Sequence, residues 1–196
     1  MSKKNKVFPL LGAGGTHSNY VREKDDYYAT DPHSLELLLE QENFNSSIWE
    51  CACGGGHLVD LLKSKGYTVF ASDIVDRGVK DMQIMDFLSC NHYPPCTDII
   101  TNPPYKHAKE FVLRALALVD NGCKVAMLLR MQFLEGIARY NDLFSQYPPQ
   151  VVYVHSKRVQ CARGGDFVKH NKGSAQAFCW FVWQKGVTTP PIIKWL

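Results

Sequence analysis

The chain has 196 residues, of which 45% are hydrophobic and 21% are charged, and this is enough apolar material for the core of one compact domain. Its net charge of +3 does not by itself indicate a nucleic-acid-binding protein. The seven cysteines are an odd number and include no Cys-x-x-Cys pair, which favours reduced thiols over a disulfide framework or a zinc site.

The N-terminal region carries little hydrophobic periodicity. Residues 1–25 contain several lysines and glycines, and we expect them to form a flexible arm. The apolar stretch at 10–15 is too short for a secretion signal, and no run approaches the length of a membrane span. We therefore expect a cytoplasmic protein with one domain over residues 26–196.

The first helix and strand are predicted from local signals. Asp31 and Pro32 form a good N-cap and first-turn pair for a helix that carries several leucines. Ile48 and Trp49 then read as an apolar strand. The segment Glu50 to Gly56 follows, and another helical pattern begins near Leu58.

This glycine-rich turn is suited to a nucleotide-like cofactor. Gly54, Gly55 and Gly56 let the backbone approach a ligand closely, and the helix behind them supplies unpaired N–H groups. The dinucleotide pattern Gly-x-Gly-x-x-Gly would need a third glycine at Val59, so NAD is disfavoured. A Cys51, Cys53 and His57 metal site is also disfavoured, because small residues packed in a glycine loop explain the cysteines.

Acidic residues follow the next two elements. Asp73 ends a second strand at 68–72, about 20 residues after the glycines, where a carboxylate can hold two ribose hydroxyls. Asp86 and Phe87 place a carboxylate and an apolar ring where they can hold an adenine edge. Each acid taken alone is more typical of a turn or helix cap than of a ligand site.

The tetrapeptide Asn102-Pro103-Pro104-Tyr105 follows the apolar strand 98–101 and is the predicted centre of the chemistry. Consecutive prolines fix two φ angles and remove two donors, so the Asn102 amide oxygen and the Pro103 carbonyl can accept both hydrogens of a planar NH2 group. Tyr105 offers a face on which a flipped base can stack. A proline-rich turn after a strand is the alternative.

The rest of the chain continues the alternation of helices and strands that a parallel sheet requires. Helices are predicted at 108–119 and 134–144, and a strand is predicted at 125–129. Two β-rich runs, 151–154 and 177–183, are expected to pair antiparallel. Trp180, Phe181 and Trp183 are expected in the core.

A basic segment lies between these two late runs. Residues 155–175 hold five cations against the single acid Asp166, with Gly164 and Gly165 adding freedom. Such a segment can neutralise phosphates largely without regard to sequence, although a solvated basic loop is an equal alternative. The cations are Lys157, Arg158, Arg163, Lys169 and Lys172.

In their order, these pieces resemble class I S-adenosylmethionine-dependent amino-methyltransferases, and most closely the small N6-adenine DNA methyltransferases of bacteria and phages. The resemblance also includes the segments 27–32, 128–136 and 177–183, so it covers nearly the whole chain. It implies a Rossmann-like α/β fold, with a mostly parallel seven-stranded sheet, an antiparallel edge strand and helices on both faces.

The resemblance also implies roles for individual residues. S-adenosylmethionine would be the cofactor, with no metal, and Asn102, Pro103, Pro104 and Tyr105 would be catalytic. Thr30 would lie near the methionine carboxylate, Asp73 would bind the ribose, and Asp86 and Phe87 would contact the adenine. The full cofactor set is Tyr28, Thr30, Glu50, Ala52, Gly54, Gly56, Asp73, Asp86, Phe87 and Asn102.

The implied reaction is direct transfer of a methyl group to N6 of an extrahelical adenine in DNA. The same tetrapeptide occurs in enzymes that methylate RNA bases or a protein glutamine, because each acceptor is a planar amine. An inactive module that binds the cofactor or nucleic acid is a further alternative. The sequence leaves DNA against RNA, the target sequence and the oligomeric state open.

Overall fold

The computed structural model describes residues 28–91, 94–95, 97–159, 161–163 and 176–196, with only the backbone for 28 and 161–163. The predicted arm 1–25 lies outside these residues. The strands are β1 (Tyr28–Thr30), β2 (Ser47–Glu50), β3 (Thr68–Asp73), β4 (Gln83–Ile84), β5 (Asp98–Thr101), β6 (Lys124–Arg130), β7 (Val151–Val154), β8 (Cys161–Arg163), β9 (Phe178–Gln184) and β10 (Ile192–Trp195). The helices are α1 (Pro32–Gln41), α2 (His57–Ser64), α3 (Ala108–Leu118) and α4 (Ile137–Arg139).

The described residues form an eight-stranded sheet in the order β10-β7-β9-β6-β5-β2-β3-β4. All neighbouring pairs are parallel except those of β9, which is antiparallel to both β6 and β7. The predicted antiparallel pairing of the two late runs is thus confirmed. The predicted count of seven strands is wrong, because β10 adds a strand beyond β7.

Helices cover both faces of the sheet, as predicted. Side chains alternate along each strand, so Ile99 joins the apolar cluster under α3 while Ile100 joins the cluster under α1 and α2. The three predicted aromatic core residues, Trp180, Phe181 and Trp183, are buried. The sheet therefore has an apolar layer on each side.

The start of α1 is the predicted cap. The Asp31 carboxylate accepts a hydrogen bond from the His33 backbone N–H at 3.0 Å, and Pro32 occupies the first turn. No helix in the described part of the chain is both long and apolar enough to cross a membrane.

The helix predicted at 134–144 is only partly correct. A 3₁₀ turn occupies Met131–Leu134, Gly136 has a φ of 118°, and helical structure resumes at α4 and continues as a π-helical turn over Tyr140–Phe144. Arg139 explains the break, since its guanidinium donates to the carbonyls of Phe133, Gln132 and Glu135 and so ties the preceding turn in place.

Parallel strands bring the predicted site residues to one edge of the sheet. Glu50 and Asp73 end β2 and β3, Asn102 directly follows β5, and Arg130 ends β6. Strand β7 has the same direction as β6, because β9 runs antiparallel to both. Ligand sites in open α/β sheets form at this carboxyl edge.

Candidate active site

A cavity of about 540 Å³ opens at the carboxyl edge of the sheet, within the size range of ligand sites. The glycine loop, the ends of β3 and β5, and the tetrapeptide all contribute to its wall. Predicted residues that line it are Thr30, Glu50, Ala52, Gly54, Asp73, Asp86, Phe87, Asn102, Pro103, Pro104 and Tyr105. The two constellations found in the sequence therefore share one cavity.

The glycine loop is held in shape by its own backbone. Gly54 has a φ of 53° and donates its N–H to Asp73 Oδ2 at 2.8 Å. Gly56, with a φ of 83°, is the N-cap of α2 and donates to the Cys53 carbonyl at 2.8 Å. Gly56 thus shapes the turn, while Gly54 lies in the cavity wall.

We expect Gly56→Ala to destabilise the loop. The left-handed φ costs a non-glycine residue about 1 kcal/mol, and a Cβ at this position would lie 3.1 Å and 3.3 Å from the two methyl carbons of Val79. Gly66 has a φ of 91° with nothing within 4 Å of its Cβ position. Thermal unfolding should therefore show a larger loss for Gly56→Ala than for Gly66→Ala, and equal losses would contradict the Val79 contact.

Asp73 fastens the loop to the region after β3. Besides Gly54, it accepts hydrogen bonds from the Val75 backbone N–H and from Arg77, both at 2.9 Å. The Arg77 side chain forms an ion pair with this carboxylate, and both side chains are largely buried. Asp73 therefore reaches the cavity as a fixed, charge-compensated carboxylate.

Glu50 is a buried acid in the cavity wall, with 1% of its surface exposed. Burial is the main cause that raises its pKa to about 8; interactions with Thr101 and the Ala52 backbone oppose the rise, and the Asp73 charge adds a smaller part of it. One carboxylate oxygen accepts the Ala52 N–H at 3.1 Å. The carboxyl group is thus protonated at neutral pH until a cationic partner approaches it.

We expect Glu50→Gln to remove part of the pH dependence of stability. Between pH 4.5 and about 8 the folded protein binds more protons at Glu50 than the unfolded chain does, so the folded state loses stability as the pH rises through this interval. From pH 5 to pH 8 the loss should be roughly 3 kcal/mol.

Thermal unfolding of the cofactor-free protein at both pH values measures this effect. At pH 8, Glu50→Gln should be more stable than the wild type. The control Glu40→Gln changes an exposed residue of α1 and should be as stable as the wild type at both pH values. If the stability difference between Glu50→Gln and the wild type is the same at pH 5 as at pH 8, Glu50 is not a buried protonated carboxyl group.

Asp86 and Phe87 take different positions in the cavity wall. The Asp86 carboxylate closes a local turn by accepting from the Leu88 N–H and the Ser89 hydroxyl, each at 3.0 Å. Phe87 is buried against Trp49 and Phe111, at ring-centroid distances of 5.2 Å and 5.0 Å. Phe87 is therefore a rigid apolar surface beside the exposed Asp86.

The tetrapeptide loop is oriented through Asn102. Its Nδ2 donates to the Thr30 hydroxyl at 2.7 Å, which commits the amide nitrogen and makes Oδ1 the accepting end of the amide. Pro103 is buried and Pro104 is half-buried. Tyr105 begins a short 3₁₀ turn, and its ring contacts Phe178 at 5.4 Å.

The structure locates the predicted basic residues less completely. Lys157 and Arg158 are exposed just after β7, at the same edge of the sheet as the cavity. Arg163 lies in β8, which pairs antiparallel with β1, so part of the predicted basic loop is a strand whose neighbour leads to Thr30. Lys169 and Lys172 lie outside the described residues, and only the backbone of Tyr28 is described.

Residues that sequence reasoning did not assign to the site lie in the cavity wall and beside it. Arg77 lines the cavity and pairs with Asp73, but the stretch between them is not helical, so the four-residue spacing does not predict the pair. Arg130 and Phe178 both contact the Tyr105 ring. They are directly opposite each other in the β6–β9 register, a pairing that the local sequence does not show.

The thiols of the glycine loop are buried. Burial raises the pKa of Cys51 well above its usual value and that of Cys53 to about 12, so both stay protonated and unreactive. Within the described ranges no group of three or more His, Cys, Asp or Glu side chains is arranged to hold a metal ion.

No protein-family model and no curated protein matches the chain. Solved structures do match. They include a candidate class I S-adenosylmethionine-dependent methyltransferase from Listeria monocytogenes, with a TM-score of 0.56, 14% identity, and coverage of 84% of this chain and 65% of that one. A candidate RNA methyltransferase from Pyrococcus horikoshii matches with a TM-score of 0.57 and 14% identity, and the match covers 80% of this chain and 84% of that one.

A candidate hemolysin from Lactococcus lactis is also similar, with a TM-score of 0.59, 12% identity, and coverage of 82% of this chain and 90% of that one. At such identities the likeness concerns the fold: the chain has the Rossmann-like α/β fold of class I methyltransferases. It spans 65% of the length of the Listeria protein, just under two thirds.

Proposed function

We propose that the protein is an S-adenosylmethionine-dependent methyltransferase that modifies N6 of adenine in DNA. The observation that carries this proposal is the shared cavity, in which a glycine loop with two acidic strand ends lies beside the Asn102 to Tyr105 loop. This arrangement supports the proposal, because it would set a cofactor pocket beside a holder for a planar amine. The sequence resemblance to N6-adenine DNA methyltransferases supports the choice of acceptor.

The residues in the cavity fit this cofactor. Glu50 offers a buried carboxylate to an ammonium group, Asp73 offers a fixed carboxylate to ribose hydroxyls, and Phe87 with Asp86 offers an apolar face and a polar edge to a purine. Ala52, Gly54 and Thr30 complete the wall. When bound, the cofactor supplies an electrophilic methyl group on a sulfonium.

The protein's part in the reaction would be positioning. Asn102 Oδ1 and the Pro103 carbonyl would accept the two amine hydrogens, which turns the nitrogen lone pair out of conjugation with the ring and toward the methyl donor. The amine proton leaves to solvent after transfer. Near-attack alignment of this kind lowers the barrier without a metal or a covalent enzyme intermediate.

Tyr105 would provide the wall against which the extruded adenine lies. Its ring is held by Phe178 and Arg130, so its orientation is set before the base arrives. Extrusion costs a few kcal/mol of unstacking, and contacts to the strand backbone must offset that cost. Lys157 and Arg158, exposed at the same edge, are suited to this role, and we extend it to Arg163, Lys169 and Lys172 on sequence alone.

Methyl transfer from tritiated S-adenosylmethionine tests the proposal. The protein is incubated with separate pools of duplex DNA, single-stranded DNA, transfer RNA and ribosomal RNA, each of which is then digested to nucleosides. We expect label in N6-methyl-2′-deoxyadenosine from DNA. Label only in RNA would mean that RNA, and not DNA, is the acceptor. Label only in protein would indicate amide methylation. No label in any pool would overturn the proposed activity.

A further inference from the structure

The guanidinium of Arg130 lies over the ring of Tyr105, with 4.9 Å between Arg130 Cζ and the ring centroid. Arg130 ends β6 and its side chain is exposed at the edge where the cavity opens. The same Tyr105 ring lies 5.4 Å from the ring of Phe178 at an interplanar angle of 31°. Arg130 and Phe178 thus both contact the Tyr105 ring, beside the proposed base site.

A cation–π contact holds a guanidinium without using its hydrogen-bond donors. The five N–H donors of arginine lie in the plane of the group and can still bond another ligand. Among the described residues the Arg130 side chain has no hydrogen bond or ion pair; its contact is the one with the Tyr105 ring. A fixed cation is therefore available to an anion.

Arg139 provides an internal comparison. Its Cζ also lies over an aromatic ring, 5.4 Å from the centroid of Phe133, but its donors already bond the carbonyls of Phe133, Gln132 and Glu135. Arg139 therefore has a structural role. Arg130 has the same type of stacking without any such use of its donors in the described part of the chain.

The charges around Arg130 favour an anionic ligand. Lys106 directly follows Tyr105, is exposed and lines the cavity, and the exposed Lys157 and Arg158 follow β7 at the same edge. The exposed acids described in the same region are Glu135 and Asp142 after β6, of which Asp142 pairs with Lys109, and Asp86 in the cavity wall. The exposed cations would add to the attraction of Arg130 for a phosphate.

We propose that Arg130 binds the backbone phosphate of the target nucleotide through its guanidinium edge while the guanidinium face holds the ring of Tyr105. The inference rests on the proposed function and extends it. It names a residue that couples the position of the DNA strand to the position of the Tyr105 ring, against which the base would lie. The planar fork of arginine matches two phosphate oxygens. A phosphodiester of the acceptor strand is accordingly the ligand.

Salt dependence distinguishes a phosphate contact from a structural role. Binding of a fluorescein-labelled adenine-containing DNA duplex is measured by anisotropy at several NaCl concentrations, without cofactor. Each phosphate contact contributes about 0.9 to the slope of log K against log salt. Between 50 mM and 200 mM NaCl, the wild type should therefore lose about 3.5-fold more affinity than Arg130→Met.

Two further variants complete the test. Arg130→Lys keeps the charge and should retain the wild-type salt slope. Arg139→Met removes a charge for which no phosphate contact is proposed, and it should also retain the wild-type salt slope. A wild-type slope in Arg130→Met, or an equal reduction in Arg139→Met, would overturn the proposal. If Arg130→Met unfolds at the assay temperature, a reduced slope in Arg130→Lys would equally count against it.

Turnover separates this inference from the proposed function. In methyl transfer, Arg130→Met should raise KM for DNA roughly tenfold, as expected for the loss of one charged hydrogen-bonded contact, and should leave S-adenosylmethionine affinity unchanged. A wild-type protein that transfers no methyl group to any nucleic acid would refute the function, whereas an active wild type with an unchanged slope in Arg130→Met would refute only the phosphate contact.

Discussion

Asn102→Ala is expected to lower kcat by about 10²- to 10³-fold, the range found when a single preorganised hydrogen-bonding group is removed from an active site. The variant loses the amide oxygen that would orient the acceptor amine. Cofactor affinity should change little, because Asp73, Glu50 and the glycine loop remain. The measurements are single-turnover methyl transfer to DNA and calorimetric titration with S-adenosylmethionine.

The matched control is Asn121→Ala, which removes an exposed asparagine from the turn that precedes β6, at the opposite edge of the sheet. It should retain wild-type turnover. Thr30→Val removes only the hydroxyl that receives Asn102 Nδ2, so it should reduce kcat less than Asn102→Ala does. Loss of cofactor binding in Asn102→Ala, or unchanged turnover, would contradict the assigned role.

Asp73→Ala is expected to weaken S-adenosylmethionine binding by about 10- to 100-fold. The substitution removes the carboxylate proposed for the ribose, and it also releases the Gly54 N–H and leaves Arg77 without its ion pair. Hydrogen bonds to a charged group contribute about 1.5 to 3 kcal/mol, and 1.4 kcal/mol is a tenfold change in Kd. Turnover at saturating cofactor should fall much less.

Arg77→Met separates the two contributions of Asp73. It removes the ion pair but keeps the carboxylate and its bond to Gly54, so its effect on cofactor affinity should be smaller than that of Asp73→Ala. Equal losses in the two variants would mean that the ion pair, and not the carboxylate, holds the cofactor. Unchanged affinity in Asp73→Ala would remove this residue from the proposed site.

Local sequence signals were sufficient where one element determines its own structure. The Asp31 cap, the strand before Asp73 and the antiparallel pairing of the last long strand are all present in the structure. The parallel arrangement also explains why acids and amides far apart in the chain reach one cavity, since each follows the carboxyl end of a strand.

Features that depend on tertiary pairing were not accessible from local patterns. Strand β10 is exposed at all four residues, so it has no alternation of buried and exposed positions to predict it. The break at Gly136 depends on Arg139 bonding three backbone carbonyls. The contact of Arg130 with Tyr105 depends on the pairing of β5 with β6. The contact of Phe178 with the same ring depends on the β6–β9 register, which sets Phe178 opposite Arg130.

The reversed strand β9 has a consequence for how the molecule is made. It lies between β6 and β7, and Phe178 at its start supports the tetrapeptide ring. Until β9 has been synthesised, the edge of β6 that faces away from β5 has no neighbouring strand. Unpaired strand edges of this kind are prone to aggregate. The wall around Tyr105 is therefore complete only after β9 has been synthesised, because Phe178 follows Tyr105 and Arg130 in the chain.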